Sequence, residues 1–146
     1  MGLGSYTQTG AIDLFLAKYD ANGKVIWLNQ SGTPNKKTIG NGITMTTSGV
    51  IYVTGSIASK NFSSLDWTTN SLFYQYSSGG LLSSTTQDSY AAASEGLKIG
   101  ADSSGNAYIV GNILEHPSGQ NYEVSNNYIN KFTPNNVLSW AVEGGF

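Results

Sequence analysis

The chain has 146 residues, a net charge of −2, no cysteine, no arginine and only 11% charged residues, less than half the roughly 25% of an average soluble protein. Zero cysteine excludes disulfides and thiolate metal sites. The seven lysines, scattered apart from Lys36-Lys37, form no basic stripe for a phosphate backbone, so nucleic acid is excluded as a partner, and no apolar run is long enough for a membrane-spanning helix.

In chain order, Met1-Gly2-Leu3-Gly4-Ser5 has neither the charged n-region nor the apolar h-region of a signal peptide. Gly4-Ser5-Tyr6 reads as the end of a strand like Gly55-Ser56. A period of two then predicts a strand over 13–20, with Phe15, Ala17 and Tyr19 on one face and Leu14, Leu16 and Lys18 on the other. Asp20-Ala21-Asn22-Gly23 is a turn signal, followed by a strand over 24–31 that carries Trp27. Strands are expected over 39–47 and 49–57, then a variable loop over 58–70 containing Phe62, Asp66 and Trp67. Further strands follow over 71–77 and 80–86, joined by Ser77-Ser78-Gly79-Gly80, and over 95–102 and 105–113, joined by Asp102-Ser103-Ser104-Gly105. After a second variable loop over 114–126, with His116 and Tyr122, the last two strands are 127–133 and 136–143, the latter carrying Trp140. No segment has a helical stripe, so the fold class is all-β.

The chain also repeats itself. Shifting Thr47–Ser56 by 56 residues superposes Gly49, Tyr52 and Gly55 on Gly105, Tyr108 and Gly111, and also brings Gly40 and Ile43 onto Gly96 and Ile99. A second block, Leu14–Gly23, returns as Ser71–Gly80 and again as Asn127–Asn136, and Trp27 matches Trp140, with Ser84 in the middle copy. Ten strands over a four-strand unit give about two and a half units: a half unit over about 12–37, then repeats over about 38–93 and 94–146.

Gly96-Leu97-Lys98-Ile99, the run Asp102 to Gly111, and Leu16-Ala17-Lys18-Tyr19-Asp20 through Gly23 to Trp27 resemble the bacterial SBBP β-propeller repeat, over nearly the whole chain. The resemblance departs at Thr46-Thr47 and in the middle copy, which lacks the Lys and the Trp. It implies antiparallel four-stranded propeller blades, about 2.5 per chain, in a mostly extracellular or cell-surface bacterial module with no shared catalytic residue. Propellers close with several blades around a channel, and an incomplete blade exposes unpaired backbone groups. The sequence therefore reads as a piece of a longer array or as a chain that assembles with others, and Glu143-Gly144-Gly145-Phe146 falls where a next repeat would start.

No cofactor or metal site is expected. His116 is the sole histidine and has no placed nucleophile. Asp20 and Asp102 fall in turns, where Asp caps its own backbone, and Asp20-Ala21-Asn22-Gly23 lacks the spaced carboxylates and closing Glu of a calcium loop. The recurring aromatics (Tyr19/Tyr76/Phe132, Tyr52/Tyr108, Trp27/Trp140) are expected to pack between units. The non-recurring Trp67, Asp66, Phe62 and Tyr122 are the candidate ligand-binding residues, because recognition concentrates in loops on rigid scaffolds. The leading reading is a non-catalytic scaffold or binding module recognising protein or glycan. A self-assembling structural module is the alternative, and a carboxylate-based hydrolase is a third class.

Overall fold

The computed structural model describes residues 7–60, 67–87, 93–115 and 124–144, and among these there are ten strands and no helix. They are β1 (Leu14–Tyr19), β2 (Val25–Ser31), β3 (Lys36–Met45), β4 (Ile51–Lys60), β5 (Trp67–Tyr76), β6 (Leu82–Gln87), β7 (Ala93–Ala101), β8 (Ala107–Glu115), β9 (Val124–Phe132) and β10 (Leu138–Gly144). All pair antiparallel with their sequence neighbours, in a two-stranded hairpin β1-β2, a first sheet β3-β4-β5-β6 and a second sheet β7-β8-β9-β10.

Five tight turns share one design. In each, the first residue donates its N–H to the carbonyl four residues on and accepts from the N–H three residues on, at Asp20, Thr46, Ser77, Asp102 and Thr133. Its side-chain oxygen also receives the N–H four residues on, at 2.9–3.3 Å. The fourth turn residue has positive φ: Gly23, Gly49, Gly80, Gly105 and Asn136. This is a three-residue hairpin closed by a left-handed residue, which glycine and asparagine accept most readily. Thr46 thus does with a hydroxyl what Asp102 does with a carboxylate.

The register repeats as well. Lys18 faces Trp27, Gln75 faces Ser84 and Lys131 faces Trp140, each beside a one-residue slip. Gly40 faces Gly55 and Gly96 faces Gly111, each followed by a slip that leaves Asn41 or Leu97 unmatched. Two strand pairs outrun the sequence expectation: β4-β5 continues to Lys60 opposite Trp67, and β8-β9 to Glu115 opposite Val124. Trp67 therefore begins a strand and is not a loop residue.

The core forms two layers. Ile51, Val53, Ile57, Leu72, Tyr74 and Tyr76, on one face of the first sheet, cluster with Leu14, Leu16 and Trp27 of the hairpin. On its opposite face, Tyr52 and Phe73 cluster with Ala107, Ile109, Ile113, Tyr128 and Phe132 of the second sheet. Phe73 lies 4.7 Å from Phe132 and 5.3 Å from Tyr52, centroid to centroid. Each such fully buried side chain contributes about 1.5–3 kcal/mol. Because β4 is covered on both faces, Ile51–Ala58 is buried without interruption, as expected for a strand between two layers.

The recurring aromatics do not all pack between layers. Tyr76 and Phe132 are fully buried, yet Tyr19, at the same repeat position, is 54% exposed. Trp27 packs into the hairpin layer, whereas Trp140 is exposed. The difference is the neighbour: the hairpin has no layer beyond Tyr19, and the second sheet has none beyond Trp140, among the described residues.

Candidate functional site

Of the four candidate binding residues, Phe62, Asp66 and Tyr122 lie outside the described residues, as does His116. Trp67 is placed only as the backbone that opens β5. The described residues bring none of the four together.

The turn carboxylates are committed to their own backbone. Asp20 Oδ1 accepts the N–H groups of Asn22 and Lys24, each at 2.9 Å. Asp102 accepts from Ser104 and Asn106 backbone, from Asn106 Nδ2 at 2.8 Å and from the Tyr108 hydroxyl at 3.1 Å. The Asn106 amide, with help from the other donors, holds the Asp102 carboxyl below the ordinary carboxylate range. Asp13 is held down in the same way, chiefly by the Thr9 N–H at 2.7 Å, with Gly10 N–H and Gln30 Nε2 as further donors. Among the described residues, no three His, Asp or Glu side chains gather into a metal-binding group, and no helix is long and apolar enough to cross a membrane.

The junction between the two sheets carries the polar chemistry that sequence reading missed. Asn41, freed by the register slip, donates to Glu95 Oε1 at 2.7 Å and to the Gly96 carbonyl at 2.9 Å. Ser71 Oγ bonds the Tyr128 hydroxyl, Ser71 N–H donates to Ser94 Oγ, and Thr54 Oγ1 donates to the Leu72 carbonyl. Thr54, Ser71, Ser94 and Tyr128 are buried, so each of their bonds replaces water that has been removed. At the turn end, Tyr52 donates to the Gly105 carbonyl at 2.7 Å beneath a cleft of about 230 Å³ edged by Thr46, Ser48, Gln75 and Ser104.

Among the described residues, the outer faces of the second sheet and of the hairpin remain uncovered. On the second sheet, the face away from the first carries Val110 opposite Ile129 opposite Val142, and Tyr108 opposite Lys131 opposite Trp140. Val110, Ile129, Val142 and Trp140 are exposed. On the hairpin, the outward face exposes Phe15 and Tyr19. Contiguous exposed apolar groups mark interaction surfaces. The repeat gives these faces meaning: Tyr108 and Ile129 correspond to Tyr52 and Phe73, which the second sheet covers, and Phe15 and Tyr19 correspond to Leu72 and Tyr76, which cover the hairpin. An alignment of the chain on itself was the signal that could have found them.

No family model matches the chain, and no curated protein matches it.

Proposed function

We propose that this chain is a β-propeller-type scaffold, of the SBBP kind its repeat resembles, whose partners are further sheets of the same design. It works by stacking and catalyses nothing itself. One observation carries the reading: the central strands β4 and β5 of the middle sheet are covered on both faces, while each flanking layer leaves open the face whose repeat counterpart is covered within the chain.

The complement for each open face is on the chain. Trp27 packs so closely over the turn at Gly80 that a Cβ there would come within 2.6 Å of the indole. Trp140 is the counterpart of Trp27, and Gly23, with nothing within 4 Å of a Cβ, is the counterpart of Gly80. Head-to-tail stacking sets Trp140 of one copy on the Gly23 turn of the next, with Phe15 and Tyr19 over Ile129. Such a heterologous contact grows as an open or closed series.

Light scattering across a concentration series tests this. The expected mass rises above the 15.5 kDa of one chain with concentration, and Ile129→Asp or Trp140→Ala returns it to one chain with the strand signal in circular dichroism unchanged. A chain that stays monomeric at every soluble concentration refutes the reading.

A further inference from the structure

β1 corresponds to β5 and β9, which have a strand on each side. β1 has only β2 among the described residues. Among the described residues, the backbone groups along one edge of Leu14–Tyr19 therefore face no ladder, which makes the edge a template for strand addition.

Beside that edge lies a groove of about 360 Å³ between Asp13–Leu16 on one wall and Thr38–Ile43 with Val53 on the other. At the next junction, the equivalent place, between β5 and β7, is filled by the inner strands β3 and β4, which β7 lies across. The effect on side chains is direct. Ile99 and Ala101 of β7 pack into the layer between the sheets. Their counterparts on β3, Ile43 and Met45, are 60% and 63% exposed, because no inner strand pair lies over them.

The pairing rules of the second sheet specify what fits. Ala107 faces Phe132, Tyr108 faces Lys131, Ile109 faces Asn130, Val110 faces Ile129 and Gly111 faces Tyr128. Lys131 Nζ sits 5.3 Å from the Tyr108 ring centroid, with Trp140 on its other side. Lys18 has Trp27 on one side and the open edge on the other. A Cβ on Gly111 would come within 2.5 Å of the Tyr128 ring, so the ring depends on a glycine opposite it. Phe15 is the counterpart of Tyr128.

We propose that the open edge of β1 and its groove form an acceptor site for a β-hairpin of the inner-strand type, supplied by another polypeptide and paired antiparallel through a strand reading Ala/Ile-Tyr-Ile/Val-Val/Thr-Gly. Tyrosine lies opposite Lys18 and glycine opposite Phe15. This rests on reading the chain as a stack of repeated sheets, and it gives that stack a second, edge-on mode of attachment.

The test adds a synthetic peptide of residues 93–115 to the full chain and follows binding by titration and amide exchange by mass spectrometry. Saturable binding with slowed exchange within Leu14–Tyr19 is expected. Tyr108→Ala in the peptide weakens binding about threefold, the scale of a cation–π contact, and Gly111→Val weakens it about tenfold or more by overpacking. Both changes are in the peptide, so the chain's own folding is untouched. No protection of Leu14–Tyr19 at saturation, or equal binding of a scrambled peptide, overturns the site. A chain that assembles without this protection refutes the edge site alone. A monomeric chain that shows the protection supports the edge site and refutes only the stacking.

Discussion

Gly80 and Gly105 provide a matched pair for weighing backbone strain against packing. Both close the same turn with φ of +82°, so alanine at either must adopt the left-handed region at a cost of about 1–2 kcal/mol. Their surroundings differ. The nearest atom to a Cβ on Gly105 is Pro134 at 3.5 Å, an ordinary contact, whereas on Gly80 three atoms of the Trp27 indole lie at 2.6–2.8 Å. Gly80→Ala must therefore push the indole away from the turn as well. Full loss of a buried aromatic costs about 3–5 kcal/mol, and Trp27 is only partly buried, so displacement adds about 1–2 kcal/mol. The expected totals are about 1–2 kcal/mol for Gly105→Ala and about 2–4 kcal/mol for Gly80→Ala. Asparagine separates the components: Gly105→Asn is near neutral, since Asn136 holds the same turn position at φ 60°, while Gly80→Asn keeps the steric cost. Urea unfolding followed by circular dichroism reads all four, and a difference of this size moves the thermal midpoint by roughly 2–4 °C per kcal/mol in a chain of this length. Equal losses at Gly80 and Gly105 would refute the argument that Trp27 is seated on this turn.

The remaining predictions concern polar groups. Tyr128→Phe strands the Ser71 hydroxyl, 1% exposed, and costs about 1–3 kcal/mol; adding Ser71→Ala recovers most of it, and simple additivity in urea unfolding would deny the coupling. Asp13 and Asp102 are depressed in the fold, so the unfolded chain binds their protons first. Their stabilisation is present above the ordinary carboxylate value near 4 and drains away as pH falls through and below it. Asp102→Asn should flatten that acid limb, and an unchanged slope of unfolding midpoint against pH counts against it. Burial raises the phenols of Tyr52, Tyr74 and Tyr76, so their contribution holds below about pH 10 and is lost as pH climbs through the folded values. Ionisation of Tyr52, Tyr74 and Tyr76, followed residue by residue in NMR spectra, should coincide with alkaline unfolding, and ionisation of these three well before unfolding would contradict this.

Much of the fold was legible because alternation and turn chemistry are local. Asp20-Ala21-Asn22-Gly23 and its relatives name their own geometry, and the period-two faces of Leu14–Tyr19 follow from the chain itself. Strand ends were less legible: Thr68, Thr69 and Asn70 carry no apolar alternation, yet the ladder with β4 continues through them. What the alternation cannot show is whether a face has a neighbour. Tyr19, Tyr76 and Phe132 are one repeat position, and only the arrangement of layers decides which is buried. The Asn41–Glu95 bond was hidden for a similar reason, since it joins residues 54 apart through a register slip that no composition reveals.

The two junctions within the chain have the same geometry and different chemistry. A Cβ on Gly40 would meet Leu14 at 3.0 Å, and one on its counterpart Gly96 would meet Ser71, the counterpart of Leu14, at 3.2 Å. At the first junction Leu14 shares its layer with Leu72. At the second, Ser71 bonds Tyr128, the counterpart of Leu72. The two sides of each junction are thus matched in polarity, apolar with apolar and hydroxyl with hydroxyl. A mismatch would bury a polar group without a partner, at a cost comparable to a lost hydrogen bond. Applied to the open faces, the same rule sets Asn127 of the second sheet against a hydrogen-bonding group and Phe15 of the hairpin against an apolar one. Head-to-tail stacking of identical chains brings Asn127 to Phe15 and breaks the match at that corner. Self-association is therefore weaker than either internal junction, so it should be reversible and concentration-dependent, and a neighbouring sheet with tyrosine at the Phe15 position is the better complement to the second sheet.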